Sequence, residues 1–305
     1  MKRALFACAL LLVLSLTCAA AHPESYSGTW SITPSDRAGM VELRMDYRRT
    51  TSTGNEEWSE SEDVPVSQIH RDGNGFTLTR DAGQFRAAGV FSGNQGAGTW
   101  TFIPSPAFAQ DLAHRGVGAP NDKQQFQLGM GSFKLATLDT LLSNGFQHPS
   151  VADLVRLSEH GVSNDYLNAM KDLRFSPKTI DELIRLRDHG VDPAYARDML
   201  RRAPQLTAED LIELRDHGVS SRFMEALSNA GYGGVSPSDA ERMMDHGVSQ
   251  EYLAGLRRLG YHPGVDDLVR LVDHGVSIAF IERMRSHGYT HLSVDDLIRL
   301  RDHGF

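Results

Sequence analysis

The chain has 305 residues, with 31 lysines and arginines against 39 aspartates and glutamates, a formal charge of −8, and only two cysteines, Cys8 and Cys18. An acidic surface of this kind argues against nucleic acid and anionic lipid as partners. With both cysteines close to the N-terminus, a thiol-based active site or a disulfide scaffold further along the chain is excluded.

The first residues read as a secretory signal. Lys2 and Arg3 form a positive start, Ala4 to Leu16 an apolar run, and Ala19-Ala20-Ala21 a small-residue cleavage site before His22. The run is short for a bilayer span and no later stretch qualifies, so the expectation is an exported protein without a membrane span, periplasmic or secreted after cleavage near Ala21. Cys18 follows Ser15-Leu16-Thr17, which departs from the pattern of a lipidation site. Cleavage removes both cysteines and two cations, taking the formal charge from −8 to −10.

Residues 22–104 alternate with period two between Gly, Asn and Asp turns, which predicts a small antiparallel β domain. Six strands are expected, near Gly28–Thr33, Met40–Arg48, Glu57–Val64, Phe76–Arg80, Gln84–Phe91 and Gly98–Ile103. Gly-Thr-Trp occurs twice, at Gly28-Thr29-Trp30 and Gly98-Thr99-Trp100. A Gly-x-Trp on a first strand resembles lipocalins, but roughly 80 residues are too few for an eight-stranded ligand barrel, so both tryptophans are assigned to a small core. Residues 105–132, rich in Gly, Pro and Gln, read as a linker with one short helix near Phe108–Arg115.

Past the linker an acid-His-Gly tripeptide ends at Gly161, Gly190, Gly218, Gly247, Gly275 and Gly304, at intervals of 29, 28, 29, 28 and 29 residues. A fixed period in this range marks a solenoid of stacked units, none of which can bury its apolar face alone. Residues 133–305 are thus expected to form six pairs of short helices, and the whole chain a two-domain α+β protein: a small antiparallel β domain followed by an α-solenoid. In one helix of each pair, a cap such as Thr207-Ala-Glu-Asp210 or Ser236-Pro237 precedes an apolar stripe such as Leu183-Ile184-x-Leu186. The stop is equally specific. A Leu or Met four residues before the Gly and an apolar residue one after it, as in Leu214/Val219 or Leu300/Phe305, make the hydrophobic contact of a Schellman motif. The other helix carries an aromatic, Tyr166, Tyr195, Phe223, Tyr252 or Phe280, and usually ends in Gly-aromatic; Leu173-Arg174-Phe175 and Arg201-Arg202-Ala203-Pro204 depart from this. The stripe and the aromatic are expected to be core.

The repeated histidines, His160, His189, His217, His246, His274 and His303, invite a metal reading, which geometry opposes. Ligand atoms must lie within about 2 Å of one ion, whereas equivalent positions on packed helices are roughly 10 Å apart. They are read as structural caps in the last turn, bonding terminal carbonyls, with a collective pH response as the alternative. Arg185/Asp188, Arg270/Asp273 and Arg299/Asp302 are expected to pair along their helices. No His-Glu-x-x-His, Gly-x-Ser-x-Gly or phosphate-binding Gly-Lys-Ser/Thr loop occurs, so neither an enzyme nor a cofactor is expected. The last unit keeps Leu297, Ile298, Leu300 and Phe305 apolar, an expected interface for self-association or docking.

The wording Leu206-Thr207-Ala208-Glu209-Asp210-Leu211-Ile212-Glu213-Leu214-Arg215-Asp216-His217-Gly218-Val219, alternating with Ser249 to Tyr261, resembles uncharacterised repeats of bacterial exported proteins. Such repeats also stand beside antirepressor-sensor metallopeptidases of the β-lactam-receptor type. The resemblance covers the C-terminal 170 or so residues. It implies an accessory or sensory partner, because the chain has neither the zinc motif nor the membrane helices of those peptidases. The leading expectation is a non-enzymatic exported binding or scaffold protein whose repeats engage a protein or peptide. The alternative is a sensor of a small apolar ligand or of envelope stress acting through the β domain.

Overall fold

The computed structural model describes residues 26–51, 54–146, 148–173 and 177–305; the signal read at 1–21 and the departure at Arg174-Phe175 lie outside the described residues. The chain is an α+β protein: an N-terminal antiparallel sheet and then helices in series. The strands are β1 (Ser27–Pro34), β2 (Met40–Thr51), β3 (Gly54–Pro65), β4 (His70–Asp72), β5 (Gly75–Arg80), β6 (Gly83–Ser92) and β7 (Gln95–Pro104). They form one sheet in the order β3-β2-β1-β7-β6-β5-β4. The strand beyond the six expected is β4, three exposed residues with no apolar alternation to betray it.

The two Gly-Thr-Trp stretches explain each other. Paired antiparallel on β1 and β7, they set Gly28 opposite Trp100 and Trp30 opposite Gly98. A Cβ on Gly28 would meet the Trp100 ring at 2.6 Å, and one on Gly89 of β6 would meet the Trp30 ring at 2.8 Å, so the glycines form a floor on which the indoles lie. Each indole N–H is satisfied: Trp100 donates to the Thr29 carbonyl at 2.9 Å, and Trp30 to those of Ala88 and Thr99 at 3.2 Å. Phe76 and Phe91 pack on Trp30 at 4.9 and 5.1 Å, and Phe85 and Phe126 on Trp100 at 5.4 and 5.8 Å. The interior is filled by its own rings.

Where the sequence suggests a linker with one short helix, the chain forms two. α1 (Pro106–His114) begins at Ser105, whose hydroxyl accepts from the Phe108 amide, with Pro106 at the first helical position. α2 (Asp122–Met130) begins with a full capping box between Asn121 and Gln124. It serves two cores at once: Phe126 and Met130 join the sheet core, while Leu128 joins that of the helices. Gln125 is buried and donates to the carbonyls of Ala82 and Ser105, at 2.8 and 2.6 Å. At the other end, buried Arg80 donates to the Gly129 and Met130 carbonyls at 2.7 Å each and ion-pairs with Glu62 of β3. Burial pulls the Arg80 guanidinium down to about 10, opposed by the charge of Glu60, which leaves it cationic at neutral pH.

The remaining helices are α3 (Leu135–Ser143), α4 (Val151–Glu159), α5 (Asn164–Lys171), α6 (Ile180–Asp188), α7 (Pro193–Arg202), α8 (Ala208–Asp216), α9 (Ser221–Asn229), α10 (Pro237–Asp245), α11 (Gln250–Arg258), α12 (Val265–Asp273), α13 (Ile278–Ser286) and α14 (Val294–Asp302). Even-numbered helices stack on even, from α2 to α14, and odd on odd, from α3 to α13. One apolar core runs through the array from Phe108 to Ile298. Helices of nine residues are marginal alone, so burial between neighbours holds them.

The glycine stops form as the sequence predicts. Gly161, Gly190, Gly218, Gly247, Gly275 and Gly304 have φ between +67° and +84°. The amide after each reaches back five residues, as Val219 does to Leu214 at 2.8 Å. Gly218→Ala would hold a side chain at φ +73° with nothing within 4 Å of it, so its cost is purely conformational. A loss of about 1 kcal/mol is expected in urea melts, against less than about 0.5 for exposed Glu251→Ala; equal midpoint shifts would contradict the capping role.

α2 is a degenerate copy of the same unit. Asn121 and Gly131 stand as far apart as Ser150 and His160, Ser132 adopts φ +54° where the units have Gly, and the Phe133 amide reaches back to the Leu128 carbonyl at 2.9 Å. Gly131 replaces the histidine because Ser158 donates to its carbonyl at 3.0 Å, and a Cβ there would meet that hydroxyl at 2.2 Å.

Candidate interaction surface

The repeated tripeptide works between units. Each histidine is the C-cap residue of its helix, as expected, but its ring crosses to the aspartate of the next unit instead of bonding carbonyls of its own helix. His160 meets Asp188, His189 Asp216, His217 Asp245, His246 Asp273 and His274 Asp302, with Nδ1 to carboxylate distances of 2.7 to 2.9 Å. These five half-exposed rungs run along one edge of the array. His303 is the terminal histidine of the series. Each of the five rings has a carboxylate partner, and no group of three or more His, Cys, Asp or Glu able to hold a metal occurs among the described residues.

A second ladder joins the even helices. The arginines expected to pair within their helices reach instead, or also, to the first turn of the next even helix, where carboxylates already complement the helix dipole. Arg156 meets Asp181 at 2.6 Å, Arg185 Glu209 at 2.7 Å, Arg242 Asp266 at 2.7 Å and Arg270 Asp295 at 2.8 Å. Arg299 pairs with Asp296 of its own helix, at 3.9 Å. The odd helices add a third ladder. The hydroxyls of buried Tyr166 and Tyr195 and of half-buried Tyr252 donate to the carbonyls of Val191, Val219 and Val276, at 3.1, 2.9 and 2.7 Å. Burial raises these phenols, Tyr166 and Tyr195 to about 12.

The arginine ladder skips the rung from α8 to α10. Glu213 stands where the other units have arginine, and Ser238 where they have the acid. On the same stretch Glu241 takes the place held by Ile184, Ile212, Val269 and Ile298 in the apolar stripe. Its Oε1 is buried with no hydrogen-bond partner. Burial raises its pKa, as do the charges of Glu213, Asp245 and Asp210, while His217 lowers it.

The hydrogen bond to Asp245 raises His217, and Asp245, Glu241 and Asp216 add to this by charge, against desolvation. Because the folded value lies above the unfolded one, near 6.5, this rung contributes fully below that pH and its contribution falls as pH rises through the folded value. A double-mutant cycle with His217→Ala and Asp245→Ala should therefore show favourable coupling at pH 5.5 or thereabouts that shrinks in alkali. A coupling that grows with pH would contradict the charged rung.

The expected C-terminal interface needs correction. Leu297 is fully buried and Ile298 is 7% exposed, both in the core against the preceding units, and Leu300 is half-buried; only Phe305, at 60%, faces outward. The stripe of the last helix has α12 and the odd row to cover it, so Leu297 and Ile298 offer no docking face. Nor is there an apolar pocket under Trp30 and Trp100, whose surroundings are filled by rings. Among the described residues no helix is long and apolar enough to cross a membrane. Comparison with protein-family models, curated proteins and solved structures gives no match for this chain.

Proposed function

We propose that the protein is a non-enzymatic, exported binding scaffold whose helical array engages a protein or peptide partner, in line with the repeats of exported bacterial proteins that it resembles. The observation that carries this reading is the triple ladder. It fixes successive units at constant spacing and sets charged and imidazole groups in register along an extended surface, which is the property an extended partner can use. The alternative, an apolar ligand inside the β domain, loses its support with the ring-filled interior.

Panning a random peptide library against the full exported chain, followed by hydrogen exchange of the complex, tests the reading. Protection spread over several consecutive helices between α4 and α14 is the expected result. Protection confined to the sheet would count against the helical array as the binding surface, and failure to enrich any saturable binder would sink the scaffold reading.

A further inference from the structure

The junction of sheet and array holds a groove of about 330 Å³ between β3, α2 and the end of α4. Tyr26, Tyr47, Trp58 and Phe126 supply its aromatic lining, with Phe126 4.4 Å from Tyr26 and 4.9 Å from Tyr47, centroid to centroid. Of these rings Trp58 is half-buried, while Tyr26, Tyr47 and Phe126 are buried.

Three carboxylates rim it, and two are matched. Glu56 pairs with Lys123 at 2.5 Å and Glu57 with Arg48 at 2.9 Å. Glu159 is different. It occupies the ladder position at which the later units carry an aspartate bound to the preceding unit's histidine, but here the preceding unit is α2, with Gly131 in that place. Its partner is the uncharged amide of Gln127, at 3.0 Å. The ladder thus leaves one carboxylate without a cation, and that one opens on the aromatic groove.

We propose that this groove binds the arginine side chain of an extended peptide, with Glu159 as counter-ion. A cation against aromatic rings gains from the ring quadrupole, and the planar guanidinium both stacks on rings and bonds a carboxylate through two N–H groups, which an ammonium cannot do. A peptide is the source because one wall, Asn55 to Trp58, belongs to β3, an edge strand of the sheet. The free edge of such a strand offers main-chain donors and acceptors to an added strand. The net charge of −8 favours a basic partner. This inference rests on the reading of the chain as a peptide binder, but places an anchor at the junction, apart from the helical surface.

The test is calorimetric titration of the full exported chain with a capped hexapeptide of alternating valine and threonine carrying one central arginine. The controls are the same peptide with citrulline and the single-residue N-acetyl-arginine methylamide. Saturable binding of the arginine peptide is expected, with about a tenfold loss for citrulline and a similar loss for Glu159→Gln, or about 1.4 kcal/mol, at an unchanged melting midpoint. Trp58→Leu should weaken binding as well. No saturable binding, equal binding of the citrulline peptide, or full affinity in Glu159→Gln overturns the site; equal affinity of the methylamide overturns the peptide as its source. Peptides selected by panning that protect α4 to α14 would survive each of those failures, so the two readings fail separately.

Discussion

Glu62→Ala is expected to lower stability by about 3 kcal/mol and to split a single unfolding transition into two. Glu62 is the counter-ion of Arg80, whose side chain is only 9% exposed. Without it a guanidinium stays buried with the two carbonyls at the end of α2 and the more distant charge of Glu60 to compensate it. The loss falls at the low end for a broken buried pair because Glu62 itself is 30% exposed. Glu62→Gln, which keeps an acceptor, should cost less. The readout is built into the sequence: the three tryptophans, Trp30, Trp58 and Trp100, all lie in the sheet, while helical circular dichroism reports the array. The two signals should coincide in urea melts of the wild type and separate in Glu62→Ala. Coincident melts at an unshifted midpoint would show that the pair does not couple the two parts.

Glu241→Ile is expected to raise stability by about 2 kcal/mol, the sum of a removed unpartnered buried oxygen and a restored apolar contact. The wild type has a second signature. Because its folded pKa is raised, Glu241 favours the fold most when protonated, and that contribution is lost as pH rises from its ordinary range near 4.5 through the folded value. The array should gain stability on mild acidification, and Glu241→Ile should remove that part of the gain. Glu213→Arg, with Ser238→Asp, would restore the missing rung beside it and lower the raised value. Identical stability–pH curves for wild type and Glu241→Ile would show that the carboxylate is solvated after all.

The elements written in local chemistry were the legible ones. The period of Asp-His-Gly, the capping boxes and the paired Leu214 and Val219 each specify one turn of backbone with nearby residues, so the helix pairs could be read directly. The ladders could not. His217 and Asp245 are 28 residues apart, and their meeting depends on the pitch of the stack, which no single unit encodes. The same holds for Arg185 and Glu209, where spacing within a helix pointed to Asp188 instead. α2 escaped notice because Gly131-Ser132 stands in place of His-Gly, a substitution that makes sense only beside Ser158. The burial of Leu297 and Ile298 was likewise a matter of packing: an apolar stripe states that it must be covered, not by which neighbour. The groove draws on Tyr26 and on residues of β2, β3, α2 and α4, and its unmatched Glu159 is visible only against the finished ladder.

The double allegiance of α2 sets the order in which the chain can mature. A polypeptide emerging from its N-terminus completes all seven strands well before Phe126 and Met130 exist to fill the sheet core, so through that interval Tyr26, Tyr47 and Trp100 lack their covering ring. Arg80 waits as long for the carbonyls of Gly129 and Met130. Once α2 docks, its other side presents Leu128 as a template on which α4 settles, and each later helix finds a finished surface to land on. A cut anywhere between Ser105 and Phe133 would therefore leave both products with an open core.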